Sequence, residues 1–385
     1  MQKNITKDFI CTAPWEGLFI NPDGDCRVCC AGDSLGNLNN NTITEIVQNG
    51  KLKEVQTDIL TKGHSEYCHA CMDMERVQGR SLRDGYGKDL SIVDITKFKP
   101  SILDIRWRNA CQLRCLYCNS EWSSTYAQWE GKTYKVSERN WQQEVLDYIV
   151  QNKPEHFKHV YMLGGEPFIL KENEQLLDLI PDTDIIGFVT NLSIPDMHTL
   201  PMYEKIMTKT TSFLVSLENV GNKFEYARRN ASWVETEKNY KKLLERKPNS
   251  VGCHMTYNLL SAFSLVETFD WIHSIHPDKN DNKTLLTILL SPNMFVIGQY
   301  PREIKQLAID EFNRLEDKYS DWLSDVQKQF ITHTRQSLLD DMNSYRIESL
   351  RELMSYIKRT DEGIAPISFA SEWPEVTRII ESYLK

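Results

Sequence analysis

From residue 101 onward, short apolar stretches alternate with longer amphipathic ones. Ile102–Trp107, His159–Leu163, Ile185–Asn191, Ser212–Leu217, Val251–Asn258 and Thr284–Leu290 have the length and composition of strands. Between them, Asn140–Asn152, Asn173–Ile180, Met202–Thr208, Trp233–Glu245 and Ala262–Ile275 read as helices. Strands and helices in strict alternation predict an α/β fold, a parallel sheet with helical crossovers. The pattern fits an incomplete barrel and an open doubly wound sheet equally well. After Pro301 the chain reads as helical to about residue 359, and a short helix near Glu375–Leu384 follows. Ahead of residue 101 the texture differs. Residues 1–85 are rich in Cys, Gly and Asn and poor in long periodic runs, which predicts a small turn-rich module held together by metal. The expected organisation is a Cys-rich module over 1–85, an α/β domain over 101–300 and a helical extension over 301–385.

With 385 residues the chain has room for two or three domains, and its composition is that of a globular protein with a sizeable core. A formal charge of −9 argues against non-specific nucleic-acid binding, which needs a broad basic surface. The start, MQKNITKDFICTAPW, lacks the apolar stretch of a secretory signal, and LLTILL at 285–290 is too short to cross a bilayer. No membrane association is therefore expected, and the cytoplasm is the expected compartment. In such a reducing compartment ten cysteines point to metal ligands or catalytic thiols rather than disulfides. Their distribution supports this, since only Cys253 lies beyond residue 118.

Cys111-Gln-Leu-Arg-Cys115-Leu-Tyr-Cys118 follows the first α/β strand directly. Three thiolates on one loop suit a [4Fe–4S] cluster whose fourth iron stays open for chemistry. A structural zinc would want a fourth ligand, and no Cys or His follows in the loop.

This CxxxCxxC loop, with an aromatic residue before its last Cys, resembles the signature of the radical S-adenosylmethionine (SAM) superfamily. The resemblance continues along residues 101–260, with motifs at successive strand ends. Gly164-Gly165-Glu166-Pro167 is similar to the family's GGEP segment, Thr190-Asn191 to its TN pair, and Phe213–Glu218 to its vSlD segment. Tyr226-Ala-Arg228-Arg229…Trp233 is similar to the YiRyG..W stretch of the subgroup with twitch or SPASM extensions. The resemblance implies a partial (β/α)6, TIM-like barrel. It implies that SAM chelates the open iron and is cleaved to a 5′-deoxyadenosyl radical after a one-electron reduction. It further places Tyr117 beside the adenine, the backbone of Gly164, Gly165, Glu166 and Pro167 at the SAM amino group, and Asn191 in the SAM site. Ser216 would lie near the ribose and carboxylate, and Arg228 would pair with the carboxylate, with Arg229 as the neighbouring register. In Val251–Asn258, polar His254, Thr256 and Asn258 alternate with apolar residues, so they are expected on the lumen face near substrate. A hydrogen-bonded core histidine is the competing reading of His254.

Six cysteines lie upstream: Cys11, Cys26, Cys29, Cys30, Cys68 and Cys71. Their context includes an Asp23-Gly24 turn and a Gly-Asn-Leu segment. It resembles the twitch/SPASM auxiliary-cluster module, placed here before the barrel rather than after it. Aligned by the turn, the resemblance implies a second [4Fe–4S] cluster on Cys11, Cys29, Cys68 and Cys71. A zinc ribbon on Cys26, Cys29, Cys68 and Cys71 is the competing assignment. The function implied is hydrogen abstraction from a peptide or protein side chain, fed by an electron donor such as flavodoxin or ferredoxin. Its alternatives are the same chemistry on a small metabolite or nucleoside, and a non-catalytic module that binds clusters or partners.

Overall fold

The computed structural model describes residues 10–72, 81–87, 89–132, 139–181, 184–362 and 367–385. Through the described residues run β1 (Gly17–Ile20), β2 (Asp25–Arg27), β3 (Gly36–Asn37), β4 (Ile102–Ile105), β5 (Arg114–Cys115) and β6 (His159–Met162). They are followed by β7 (Ile186–Thr190), β8 (Thr211–Ser216), β9 (Arg228–Arg229), β10 (Val251–Tyr257) and β11 (Leu285–Ile288). All six strands expected from the pattern are present as β4, β6, β7, β8, β10 and β11, each within two residues of its expected ends. The five expected crossover helices form at Trp141–Asn152, Lys171–Leu179, Pro201–Met207, Trp233–Arg246 and Leu265–Ile275.

The chain divides into two compact units, each assembled from segments distant in sequence. The first comprises Met1–Gln112, Asn119–Phe188 and Thr199–Ser212; the second comprises Leu113–Cys118, Val189–His198 and Phe213–Lys385.

In the first unit β4 is flanked by two parallel partners, β1 on one side and β6 on the other, and β6 pairs in parallel with β7. β1 also pairs antiparallel with β2, and β2 with β3. The Cys-rich segment thus joins the α/β sheet through its first strand. Ser101 N donates to Glu16 O and Arg106 N to Ile20 O, which fixes the register at both ends of β1. One sheet face is sealed: Leu18, Ile20, Leu103, Ile105, Val160 and Met162 are all buried. On the other face Phe19, Asp104, Tyr161 and Gly187 stand abreast in one row. The module is also more regular than its composition suggested. Helix Gly50–Lys62 is capped by the Asn49 side chain, which accepts from Leu52 N at 3.1 Å, and ends at Gly63 with φ +78°. Its Leu52, Val55 and Ile59 form a buried stripe at helical spacing.

In the second unit β8, β10 and β11 pair in parallel, and β5 pairs antiparallel with β9. The helical C-terminal region runs through Arg302–Tyr319, Asp325–Asp340, Ile347–Asp361, Phe369–Glu372 and Pro374–Leu384. It reaches the cysteine loop directly: Tyr356 OH donates to Leu116 O at 3.0 Å. Asp361 Oδ1 accepts from Tyr226 OH at 3.0 Å and Arg229 Nη2 at 2.9 Å. No helix among the described residues is long and apolar enough to cross a membrane.

Candidate active site

Cys11, Cys29, Cys68 and Cys71 line one cavity in the first unit, together with Val28, Arg83 and Tyr86. Cys11 precedes the short helix Ala13–Glu16, Cys29 follows β2, and Cys68 ends the 3-10 turn Glu66–Cys68. Burial pushes the Cys11 thiol up to about 11 and that of Cys68 up to about 12, and neighbouring thiols of the set add to both shifts. Burial thus favours the neutral thiol at Cys11 and Cys68, and a bound cation would offset that. Four thiols on one cavity wall are the right kind and number of donors for a fully thiolate-ligated cluster, and among the described residues no three metal-ligating side chains are already gathered around a single point. Cys26 and Cys30 are placed differently. Cys26 on β2 is wholly buried, with its Sγ donating to Gly24 O at 3.7 Å. Cys30 is exposed, with Asp104 and Arg106 as its charged neighbours.

The loop 111–118 is shared between the units, and its first cysteine belongs to the first. Cys111 N donates to Ser124 Oγ at 3.1 Å, and Cys111 O accepts from Thr125 Oγ1 at 2.6 Å. The Gly164–Pro167 segment packs on the backbone just ahead of this cysteine. Gly164 adopts φ +124°, Glu166 N donates to Ala110 O at 2.9 Å, and a Cβ on Gly165 would fall 2.1 Å from Ala110 O. Sequence reasoning assigned these glycines to close approach of a ligand. In the structure they also permit close approach of the chain to itself.

The remaining residues lie in the second unit. The β5–β9 pairing sets Cys115 abreast of Arg228. Arg228 is 5% exposed and Glu218 1% exposed. Arg228 Nε donates to Glu218 Oε2 and Nη2 to Glu218 Oε1, both at 2.8 Å, while Nη1 donates to Cys115 Sγ at 3.6 Å. Tyr117 OH donates to Glu218 Oε2 at 2.5 Å, and the Arg228 guanidinium stands 5.7 Å from the Tyr117 ring centre. Burial pushes the Cys115 thiol up, and the Arg228 charge opposes that shift. Arg229 faces the other way, paired with Asp361 and 4.1 Å from the Tyr226 ring centre. Glu218 closes the segment similar to vSlD, but the sequence reading gave it no role. The available signal was a carboxylate two residues beyond a buried strand, a position that demands a cation.

Thr190 and Asn191 end β7 in a tight turn. Thr190 Oγ1 accepts from Leu192 N and Asn191 Oδ1 from Ser193 N, with Leu192 at φ +56°. Asn239 Nδ2 holds this turn through Leu192 O and Ile194 O. Ser216 ends β8 abreast of His254. His254 Nε2 and Thr287 Oγ1 are 3.0 Å apart, and burial pushes the imidazole down, toward its neutral form. His254 and Thr256 are half-buried on one face of β10. Asn258 is wholly buried beyond the strand end, where it donates to Thr256 O and accepts from Leu260 N. Its side chain belongs to a turn rather than to an open face.

Asp104 is a further carboxylate, half-buried on the first unit's other sheet face. Arg106 Nη2 donates to its Oδ2 at 3.3 Å, and its Oδ1 is buried with no hydrogen-bond partner. Burial pushes it up from 3.8 to about 6, with Arg106 acting in opposition. Folding therefore favours the protonated acid, and ionisation costs stability as pH rises from about 4 through about 6. Asp104→Asn is expected to match the parent near pH 3.5 and to exceed it above pH 6.5 by up to about 3 kcal/mol. Denaturant unfolding across that range checks this, and parallel curves for the two proteins would refute it.

The sheet pattern is that of an α/β fold, and it carries a cysteine loop and a four-thiol cavity. The radical SAM superfamily model matches residues 105–272, and the model of the iron–sulfur cluster-binding domain, SPASM, matches residues 11–72. Residues 105–272 thus carry a radical SAM domain and residues 11–72 a SPASM module, and the two domains imply [4Fe–4S] clusters and SAM as cofactors. No curated protein matches it in sequence. Among solved structures it is similar to anSMEcpe with bound AdoMet, at 14% identity and TM-score 0.42, over 66% of this chain and 65% of that one. It is also similar to Streptococcus suis SuiB bound to S-adenosylmethionine, at 16% identity and TM-score 0.37, over 57% of this chain and 45% of that one. The chain thus spans less than two thirds of the length of either.

Proposed function

We propose that this chain cleaves SAM reductively and uses the 5′-deoxyadenosyl radical to take a hydrogen atom from a peptide or protein side chain. The observation that carries the reading is the buried Cys115 thiol, set by the β5–β9 pairing beside the Arg228 guanidinium. Cys111, Cys115 and Cys118 hold a [4Fe–4S] cluster, which when bound supplies the electron and an open iron. Around it the chain's own groups bind and orient SAM. The backbone of Gly164–Pro167 takes the amino group, Tyr117 packs at the adenine, and Asn191 and Ser216 supply polar contacts. Arg228 takes the carboxylate with Nη1, because Glu218 occupies Nε and Nη2. His254 and Thr256 face the substrate. Cys11, Cys29, Cys68 and Cys71 hold the auxiliary [4Fe–4S] cluster. The peptide class follows from the SPASM resemblance of the N-terminal module. The setting is cytoplasmic, with a flavodoxin or ferredoxin as electron donor.

The test is direct. Anaerobically reconstituted, reduced protein should release 5′-deoxyadenosine from SAM, and deuterium from labelled peptide pools should appear in that product. No 5′-deoxyadenosine would refute the enzymatic reading. Deuterium arriving only from labelled metabolites or nucleosides would refute the peptide assignment.

A further inference from the structure

We propose that Glu218 is a positioning residue of the SAM site, holding Arg228 and Tyr117 so that one Arg228 N–H stays on Cys115 Sγ. This rests on the reading of Cys111, Cys115 and Cys118 as cluster ligands. Four donors converge on the Glu218 carboxylate: Arg228 Nε and Nη2 at 2.8 Å, Tyr117 OH at 2.5 Å and Thr256 N at 3.4 Å. A buried ion pair adds little net stability over apolar packing, so stability alone gives no reason for it. What a two-point carboxylate–guanidinium contact does supply is direction, because it fixes the plane and rotation of the guanidinium. With Nε and Nη2 taken, Nη1 is the edge left over, and it lies 3.6 Å from Cys115 Sγ. Cys115 and Arg228 are register partners on β5 and β9, so backbone and side chain specify the same contact. A hydrogen bond to a ligating sulfur stabilises the reduced cluster and raises its potential. The same rotation leaves Nη1 for the SAM carboxylate. Glu218 therefore acts through Arg228 on both electron entry and SAM binding.

Glu218→Asp separates position from charge. It keeps the carboxylate but withdraws it by one methylene, pulling Arg228 away from the sulfur. Expected are a parent-like iron content, a lower midpoint potential for the cluster whose paramagnetic signal shifts on SAM addition, and about tenfold weaker SAM binding. Tyr117→Phe keeps the ring and removes one anchor of Glu218, so it should move both readouts the same way by a smaller amount. It stands in should Glu218→Asp fail to fold. A variant that binds iron normally yet keeps the parent potential and SAM affinity overturns the role of Glu218 alone. A parent chain with no reducible cluster on residues 111–118 overturns the functional reading and this role together.

Discussion

Replacing Cys111, Cys115 and Cys118 together by alanine is expected to reduce 5′-deoxyadenosine release to background, while about four irons per chain stay bound. The selectivity follows from where the thiols are placed. The 111–118 loop is held by contacts independent of its sulfurs: Ser124 and Thr125 grip the Cys111 backbone, Leu116 N donates to Ala227 O, and Tyr356 donates to Leu116 O. Removing three sulfur atoms should therefore empty the cluster position without unravelling the loop. The four-thiol cavity is built from Cys11, Cys29, Cys68 and Cys71 and contains no part of the loop. Iron analysis and product chromatography on one preparation check both halves. SAM cleavage at the parent rate in the triple variant would remove the loop from the chemistry.

The alternation of strands and helices after residue 101 was legible because both periodicities are local. Each strand announces itself within six or so residues, and each helix within three turns. The pairing of β1 with β4 was not legible. It joins residues about 85 apart in sequence, and parallel pairing leaves no turn signature between its partners. Helix Gly50–Lys62 carried ordinary signals, an Asn49 cap, a Gly63 stop and Leu52, Val55 and Ile59 in register. Its cysteine-rich surroundings pointed to turns instead.

The residues expected at the SAM site divide in the same way. Motif order along the strands gave roles to Tyr117, Ser216 and Arg228, but none to Glu218, the carboxylate that binds Tyr117 and Arg228. Glu218 and Arg228 meet across the helix Gly221–Ala227, a through-space contact that spacing does not encode. The choice between Arg228 and Arg229 depended likewise on β9, too short to predict, whose alternation sends one guanidinium to Cys115 and the other to Asp361. Asn258 fitted the alternation of its strand, yet β10 stops one residue earlier and the side chain serves the turn.

Cys11→Ala is expected to lower the iron content from about eight to about four per chain, whereas Cys26→Ala should leave it unchanged. The two cysteines separate the competing assignments for the N-terminal module, since a cluster uses Cys11 and a zinc ribbon uses Cys26. The structure places Cys11 on the cavity wall with Cys29, Cys68 and Cys71. It places Cys26 on β2 with its thiol turned to Gly24 O, and burial pushes that thiol far up, helped by Asp25 and Asp23. Burial pushes the Cys11 thiol up as well, with Arg83 acting against the rise and Glu16 adding to it. Loss of a single ligand from a closed four-thiolate shell should open one iron to solvent, making the cluster labile or reshaping its paramagnetic signal. The loop cluster, outside this cavity, should keep its SAM-dependent signal in both variants. The measurement is metal content and electron paramagnetic resonance after strictly anaerobic purification. Zinc in place of the second four irons, or a Cys26→Ala variant that loses metal while Cys11→Ala keeps it, would assign the module to a zinc ribbon.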